Sequence, residues 1–302
     1  GFKGCLTKPL RKPVLQEALS LVSRDGNCWQ LFLPTEQENG QDRPQRQGRI
    51  LVAEDNPTNQ LVALRMLEKL GYQADAVASG EEVLLALSTI PYALVLMDCQ
   101  MPGMDGFEAT RQIRNQTAEV LNSEVPIVAL TADIQEGTRE RCLSTGMNDY
   151  LSKPLLFKEL EMVLRKYLDK LPSLESWVAE KPQPESITSQ AFDLQYLLER
   201  VMMDSDWARE LVALYLSEIP PQLEYLAQSL KAGDLDQAAQ QLHKIKGATS
   251  NVSNSNLLTL VKTMEQSALA HNQEALEQDW PRLETAFAEL KTAMEKTFAI
   301  CL

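Results

Sequence analysis

Cysteine is sparse in this chain and scattered. Cys5, Cys28, Cys99, Cys142 and Cys301 form an odd set with no Cys-x-x-Cys pair. That spacing argues against a disulfide framework and a thiolate zinc site, and it points to a reducing compartment, the cytoplasm. Basic residues are also short, with 29 Lys and Arg against 42 Asp and Glu, a net charge of −13. Nucleic-acid binding needs a basic footprint, so no nucleic-acid partner is expected. No apolar run is longer than a strand, so direct membrane contact is not expected either. The opening residues, Gly1 to Pro9, lack the charged-then-apolar design of a signal peptide. A membrane tether would have to come from segments upstream of this sequence. Only two histidines are present, His243 and His271.

What is present begins with Asp98. It ends the apolar run Tyr92 to Met97 and opens the turn Cys99-Gln100-Met101-Pro102-Gly103-Met104-Asp105-Gly106. Three other apolar runs end comparably. Ile50 to Ala53 leads into Glu54-Asp55, Ile127 to Leu130 into Thr131, and Tyr150-Leu151-Ser152 into Lys153-Pro154. In a parallel α/β sheet these strand ends share one edge, where ligands bind. Three carboxylates, a hydroxyl and an ammonium gathered there suit a divalent cation and a phosphoryl group.

A length of 302 residues suggests two domains. From 48 to 168 strand and helix patterns alternate, which predicts a doubly wound, five-stranded parallel sheet. Helices are expected over 57–70, with Leu61, Leu64 and Leu67 at helical spacing, and over 80–87, 107–114, 135–143 and 155–168. Residues 169–190 carry Pro172, Pro182 and Pro184 and little periodicity, and read as a linker in which Trp177 is the one docking candidate. If flexible, such a linker spans roughly 25 Å root-mean-square and gives a millimolar effective concentration. From 191 to 302 the strand signal disappears. Apolar residues recur at helical spacing through Leu194, Leu211, Leu235, Leu257 and Leu283, which predicts an all-α helical bundle. Acidic residues on it, among them Asp193, Glu199, Asp204 and Asp206, read as a solvated face. Gly1 to Leu10 also aligns with Gly146 to Leu155. Residues 1–25 therefore read as the C-terminal fragment of a preceding domain like the one at 48–168, in a longer parent chain, and 26–47 as a second linker.

The stretch 48–168 resembles the receiver domain of bacterial response regulators. Glu54-Asp55-Asn56, Asp98 in its Met-Pro-Gly turn, Thr131-Ala132 and Lys153-Pro154 follow the family order and spacing. The resemblance implies that Asp98 accepts a phosphoryl group and that Mg²⁺ is held by Glu54, Asp55, Asp98 and the backbone carbonyl of Gln100. It implies that Thr131 and Lys153 contact the phosphoryl oxygens and that Tyr150 is the switch aromatic. Glu54 stands where the family often has Asp.

The stretch 191–302 resembles a histidine phosphotransfer (HPt) domain. His243-Lys244-Ile245-Lys246-Gly247 matches His-x-x-Lys-Gly in the middle of a helix. His243 shares a stripe with Ala239, Lys246, Gly247 and Ser250. A mid-helix glycine costs up to about 1 kcal/mol against alanine, so Gly247 implies close approach by a partner. The resemblance gives His243 the role of phosphoacceptor and donor, with Lys246 facing the phosphoryl oxygens. Ser253 replaces a usual glycine at the helix end, and His271 is assigned no function.

Together these resemblances imply the C-terminal part of a hybrid sensor histidine kinase acting in a phosphorelay. A kinase histidine, upstream and in the same polypeptide, would donate to Asp98. Asp98 would pass the group to His243, and His243 to a separate response regulator downstream. No ATP-binding kinase module is visible in this sequence. Two rivals remain at this point. A Mg²⁺-dependent phosphatase with an aspartate nucleophile would want a second acid where Gln100 stands. A non-catalytic docking module would not need the set of Asp98, Thr131 and Lys153.

Overall fold

The computed structural model describes residues 48–131, 136–168 and 192–299. The segments expected at 1–25, 26–47 and 169–190, with Trp177, lie outside the described residues. Five strands, β1 (Arg49–Ala53), β2 (Gln73–Val77), β3 (Leu94–Asp98), β4 (Ile127–Thr131) and β5 (Asp149–Ser152), form one sheet in the order β2-β1-β3-β4-β5. Every neighbouring pair is parallel. Helices α1 (Pro57–Lys69), α2 (Gly80–Thr89), α3 (Gly106–Arg114), α4 (Glu136–Thr145) and α5 (Phe157–Leu168) alternate with the strands.

Alternate strand residues feed two cores, because successive side chains in a strand point to opposite faces. Ile50, Val52, Leu94, Leu96, Val128 and Leu130 pack with α1 and α5 residues such as Met66 and Leu160. Leu51, Ala53, Val95, Met97, Ile127 and Ala129 pack with Val83, Phe107 and Cys142 on the other side. Both faces are covered, so β1, β3 and β4 read as continuous apolar runs in the sequence. β2 is different: Gln-Ala-Asp-Ala-Val is an edge strand with no buried residue, and its pattern names no strand by itself. The order of strands reverses between β1 and β3, so their C-terminal ends open a crevice.

Local chemistry fixes where the helices around that crevice start. The Asn56 side chain caps α1 by accepting the Asn59 N–H at 3.1 Å, and Pro57 fits the first turn. Ser79 caps α2 and Asp105 caps α3 in the same way. A side chain on Gly106 would run into the Asp98 carbonyl oxygen, so only glycine lets α3 begin this close to the end of β3.

The remaining described residues form helices α6 (Leu194–Arg200), α7 (Ser205–Ala232), α8 (Leu235–Val252), α9 (Asn256–Leu269) and α10 (Gln273–Phe298). Short reversals join the last four. Gly233 takes the left-handed conformation that ends α7, and Asp234 and Asn272 cap α8 and α10. α7 continues unbroken past Pro220 and Pro221, although proline removes a donor and usually breaks or kinks a helix. Buried Tyr215, Leu216 and Ile219 before the prolines, and Leu226 and Leu230 after them, hold both halves to the bundle. Ser253 ends α8 in extended backbone that any residue adopts, so it substitutes there for glycine without strain.

Two acids read as solvating have structural work instead. Asp193 caps α6, and Asp204 caps α7 while pairing with Lys69 of α1 at 2.9 Å. One apolar cluster runs from the sheet through Val62, Ala63 and Met66 of α1 into the bundle core at Leu211, Tyr215 and Leu242. α1 therefore packs on the sheet with one face and on α7 and α8 with another.

Candidate functional site

The crevice gathers four of the residues singled out from the sequence. Glu54 and Asp55 follow β1, Asp98 ends β3 and Lys153 follows β5. Lys153 Nζ donates to Asp98 Oδ2 at 2.7 Å and to Glu54 Oε2 at 2.6 Å. The Gln100 N–H donates to Asp98 Oδ1 at 3.1 Å. Burial pushes the Asp98 carboxyl up to about 7; the Lys153 ammonium opposes this and the Glu54 carboxylate adds to it. Burial would lower the Lys153 ammonium, but Glu54 and Asp98 outweigh it and hold it above its ordinary range. The three carboxylates outnumber the two ammoniums that meet them, Lys153 and, from the bundle, Lys244. Glu54, Asp55 and Asp98 each offer an oxygen, and the three oxygens lie within 4.8 Å of one another. An all-carboxylate donor set with uncompensated charge suits a hard divalent cation. Glu54 reaches this group although it stands where an aspartate is the commoner expectation.

Thr131 is buried at the end of β4 beside this cluster, and its carbonyl accepts the Lys153 N–H at 2.7 Å. Tyr150 is half-buried on β5, two positions back from the partner of Thr131 in the strand register. The Arg139 guanidinium lies 5.9 Å from its ring centroid.

The raised Asp98 pKa has a consequence for stability with a definite sign. The folded protein keeps this proton after the unfolded chain has released it. Its contribution to stability is present below pH 4 and is lost as pH rises to about 7. In EDTA, urea denaturation should therefore show Asp98→Asn gaining steadily on wild type as pH rises across that window. A difference independent of pH would show that Asp98 ionises in the fold as it does in water.

His243 lies on α8, and Glu265 of α9 organises it. His243 Nδ1 donates to Glu265 Oε1 at 2.7 Å, and Lys246 Nζ donates to both Glu265 oxygens at 2.7 and 2.5 Å. Burial would raise the Glu265 carboxyl, but His243 and Lys246 outweigh it and hold it below its ordinary range. With Nδ1 committed to a carboxylate, Nε2 is the nitrogen with a free lone pair. Glu265 belongs to no motif near His243 and the sequence reading missed it. A signal was available: it is an acid on the buried face of α9, beside Val261, Met264 and Ala268, and buried acids need partners. His271 is exposed in a turn, 3.7 Å from Asp236, and has no part in this network.

The turn of α8 that follows His243 closes over the β1–α1 loop. A Cβ on Gly247 would lie 3.0 Å from Asn59 Nδ2 of α1, so the close approach implied by this glycine is made by the chain's own α1. Asn251 Nδ2 donates to Asn59 Oδ1 at 2.6 Å, and Asn59 Nδ2 donates to Glu54 Oε1 at 2.8 Å. The Thr58 hydroxyl donates to Glu218 Oε2 at 2.5 Å, and Arg65 pairs with Glu210 at 2.7 Å. One cavity is lined by Glu54, Asn59 and Lys153 on the sheet side and by Gly247, Ser250 and Asn251 on the bundle side.

Among known protein families, the response regulator receiver domain matches residues 50–165 and the Hpt domain matches residues 210–296. The chain is 33% identical over 205 residues to the sensor histidine kinase GacS of Pseudomonas protegens, covering 68% of this chain and 22% of GacS. It is 35% identical over 216 residues to the sensor protein EvgS of Escherichia coli, covering 72% of this chain and 17% of EvgS. It thus spans about a fifth of these relatives' length. A solved receiver domain of a Pseudomonas aeruginosa sensor histidine kinase, with a magnesium ion in its active site cleft, is 44% identical; the match covers 40% of this chain and 98% of that one, with a TM-score of 0.37. A complex of the Saccharomyces cerevisiae phosphotransfer protein Ypd1 with the receiver domain of Ssk1 is similar at 26% identity, covering 44% of this chain and 97% of that one, with a TM-score of 0.39.

Proposed function

This chain is a response regulator receiver domain followed by an Hpt domain, the parts of a two-component phosphorelay, and from that premise we propose that Asp98 and His243 are its two phosphoacceptors, used in that order. The supporting observation is the shared cavity, which brings the Glu54–Lys153 end of the acidic cluster against the turn of α8 after His243. The receiver is taken as 48–168 and the Hpt domain as 191–302. The donor is a kinase histidine, in the same polypeptide upstream, and the final acceptor is a separate response regulator, all in the cytoplasm. No described helix is long and apolar enough to cross a membrane.

The chemistry follows from the donors. Asp98 attacks the phosphorus of the donor phosphohistidine, the P–N bond breaks, and an acyl phosphate forms. Glu54, Asp55, Asp98 and the Gln100 carbonyl would hold Mg²⁺, which supplies positive charge to the transferring oxygens. Lys153 and Thr131 bind the remaining oxygens, and Tyr150 follows the change in Thr131. His243 Nε2 then attacks the same phosphorus in line, the bond to Asp98 breaks, and the carboxylate is regenerated. Glu265 takes the charge that develops on the imidazole, and Lys246 faces the phosphoryl group.

Acyl phosphate is base-labile and phosphoramidate acid-labile, so transfer can be followed directly. A pulse-labelled sample should shift from the first to the second at a rate independent of protein concentration, as a reaction within one chain requires. A rate proportional to concentration would assign transfer to separate chains. Glu265→Ala should slow this shift by about tenfold or more, as loss of an orienting carboxylate typically does. Labelling of Asp98 in the same variant should stay normal. An unchanged rate would remove Glu265 from the chemistry.

A further inference from the structure

The Hpt domain reaches into the acidic cluster through Lys244, the residue directly after His243. Lys244 Nζ lies 2.7 Å from Asp55 Oδ2, and the Asp55 carboxylate is largely covered. The Lys244 carbonyl accepts from Asn56 Nδ2 at 3.3 Å, so both ends of this lysine hold the β1–α1 loop. Glu54 is reached by a second path, from Asn251 through Asn59. Lys153 meanwhile serves Glu54 and Asp98 and leaves Asp55 to Lys244. The docked Hpt domain thus provides the counter-charge for the one acid of the cluster that the receiver's own lysine does not pair.

We propose that Lys244 and Mg²⁺ compete for Asp55, so that docking of the Hpt domain and loading of the cation site oppose each other. This rests on the reading of Glu54, Asp55 and Asp98 as the metal site. An ammonium already on Asp55 cancels charge that a dication needs, and two cations on one carboxylate repel each other across a poorly solvated gap. Linkage is reciprocal: the factor by which docked Lys244 weakens Mg²⁺ is the factor by which Mg²⁺ weakens the Lys244 contact. Two ion pairs and the apolar part of the interface lie clear of the cation site. Arg65–Glu210 and Lys69–Asp204 lie farther along α1, and the apolar packing of Val62 and Met66 continues beneath them. These hold the Hpt domain in place while Lys244 leaves Asp55, so the exchange is local.

The test is Mg²⁺ titration of the whole, unphosphorylated chain by isothermal calorimetry. Lys244→Met should bind Mg²⁺ on the order of tenfold more tightly than wild type, within the usual range of coupling between sites. Lys244→Gln should do the same. Lys231→Met, an equal charge change at an exposed position of α7, should leave the affinity unchanged. Equal affinity in wild type and both Lys244 variants, or weaker binding in the variants, overturns the competition. So does an equal gain from Lys231→Met, which would trace the effect to net charge. Asp55→Asn separates the two claims. If it binds Mg²⁺ as wild type does, the metal-site reading itself fails, whatever the Lys244 variants do.

Discussion

Asp98→Ala is expected to take up no phosphate from a small phosphodonor such as acetyl phosphate, while the wild-type chain is labelled in Mg²⁺ and not in EDTA. The expectation rests on the nucleophile and its surroundings together. Asp98 is the acid that sits at the end of β3 with both oxygens held, Oδ2 by Lys153 and Oδ1 by the Gln100 N–H. Glu54 and Asp55 are near enough to share a cation with it but follow a different strand. Removing the cation leaves the cluster short of positive charge, so a dianionic donor is repelled as well as less activated. Loss of labelling could also come from unfolding, and Asp98→Asn controls for that. It keeps the side chain's shape, removes one buried charge, and should melt no lower than wild type at pH 8 in EDTA. Labelling of Asp98→Ala at the wild-type level, or labelling that survives chelation, would overturn the assignment.

The second large effect is at His243. In His243→Gln the label should stay base-labile until the acyl phosphate hydrolyses, with the acid-labile fraction at background, because the only other histidine is exposed in a turn and takes no part in the cavity. Gly247→Leu tests access without touching the imidazole. Its side chain would drive into Asn59 Nδ2, already 3.0 Å from where a Cβ would stand. The backbone there is ordinary helix, so circular dichroism should report an intact bundle while the shift slows. Acid-labile phosphate appearing in His243→Gln would place the second acceptor elsewhere.

The features legible in the sequence were those written locally. Buried strands β1, β3 and β4 are continuous apolar runs, and the acids at the ends of β1 and β3, the threonine that ends β4 and the lysine after β5 stand in a fixed order. His243, Lys246 and Gly247 fall within one turn and a half of helix. What stayed hidden depends on partners distant along the chain. β2 shows no apolar run because it is an edge. The length of α7 is masked by Pro220 and Pro221, which tertiary packing overrides. Glu265 comes 22 residues after His243 and reads alone as one more surface acid. Asp204, Glu210 and Glu218 read the same way, and only the fold sets them against Lys69, Arg65 and Thr58.

The turn of α8 after His243 has one exposed side to offer, and in this structure it is spent on α1. Lys244, Gly247 and Asn251 all touch the Asp55-to-Asn59 segment. If His243 hands its group to a second receiver, as proposed, that receiver would need the same side, and the two would have to take turns. Throughput then depends on how long the chain's own receiver lingers after delivery. An interface optimised only for grip would stall the relay at its last handover. The Arg65–Glu210 and Lys69–Asp204 pairs are partly exposed and contribute at most about 1 kcal/mol each, so the apolar packing of Val62 and Met66 against the bundle carries most of the grip. How long that grip lasts, in a chain that carries both domains of a relay, is a property to be measured as a residence time.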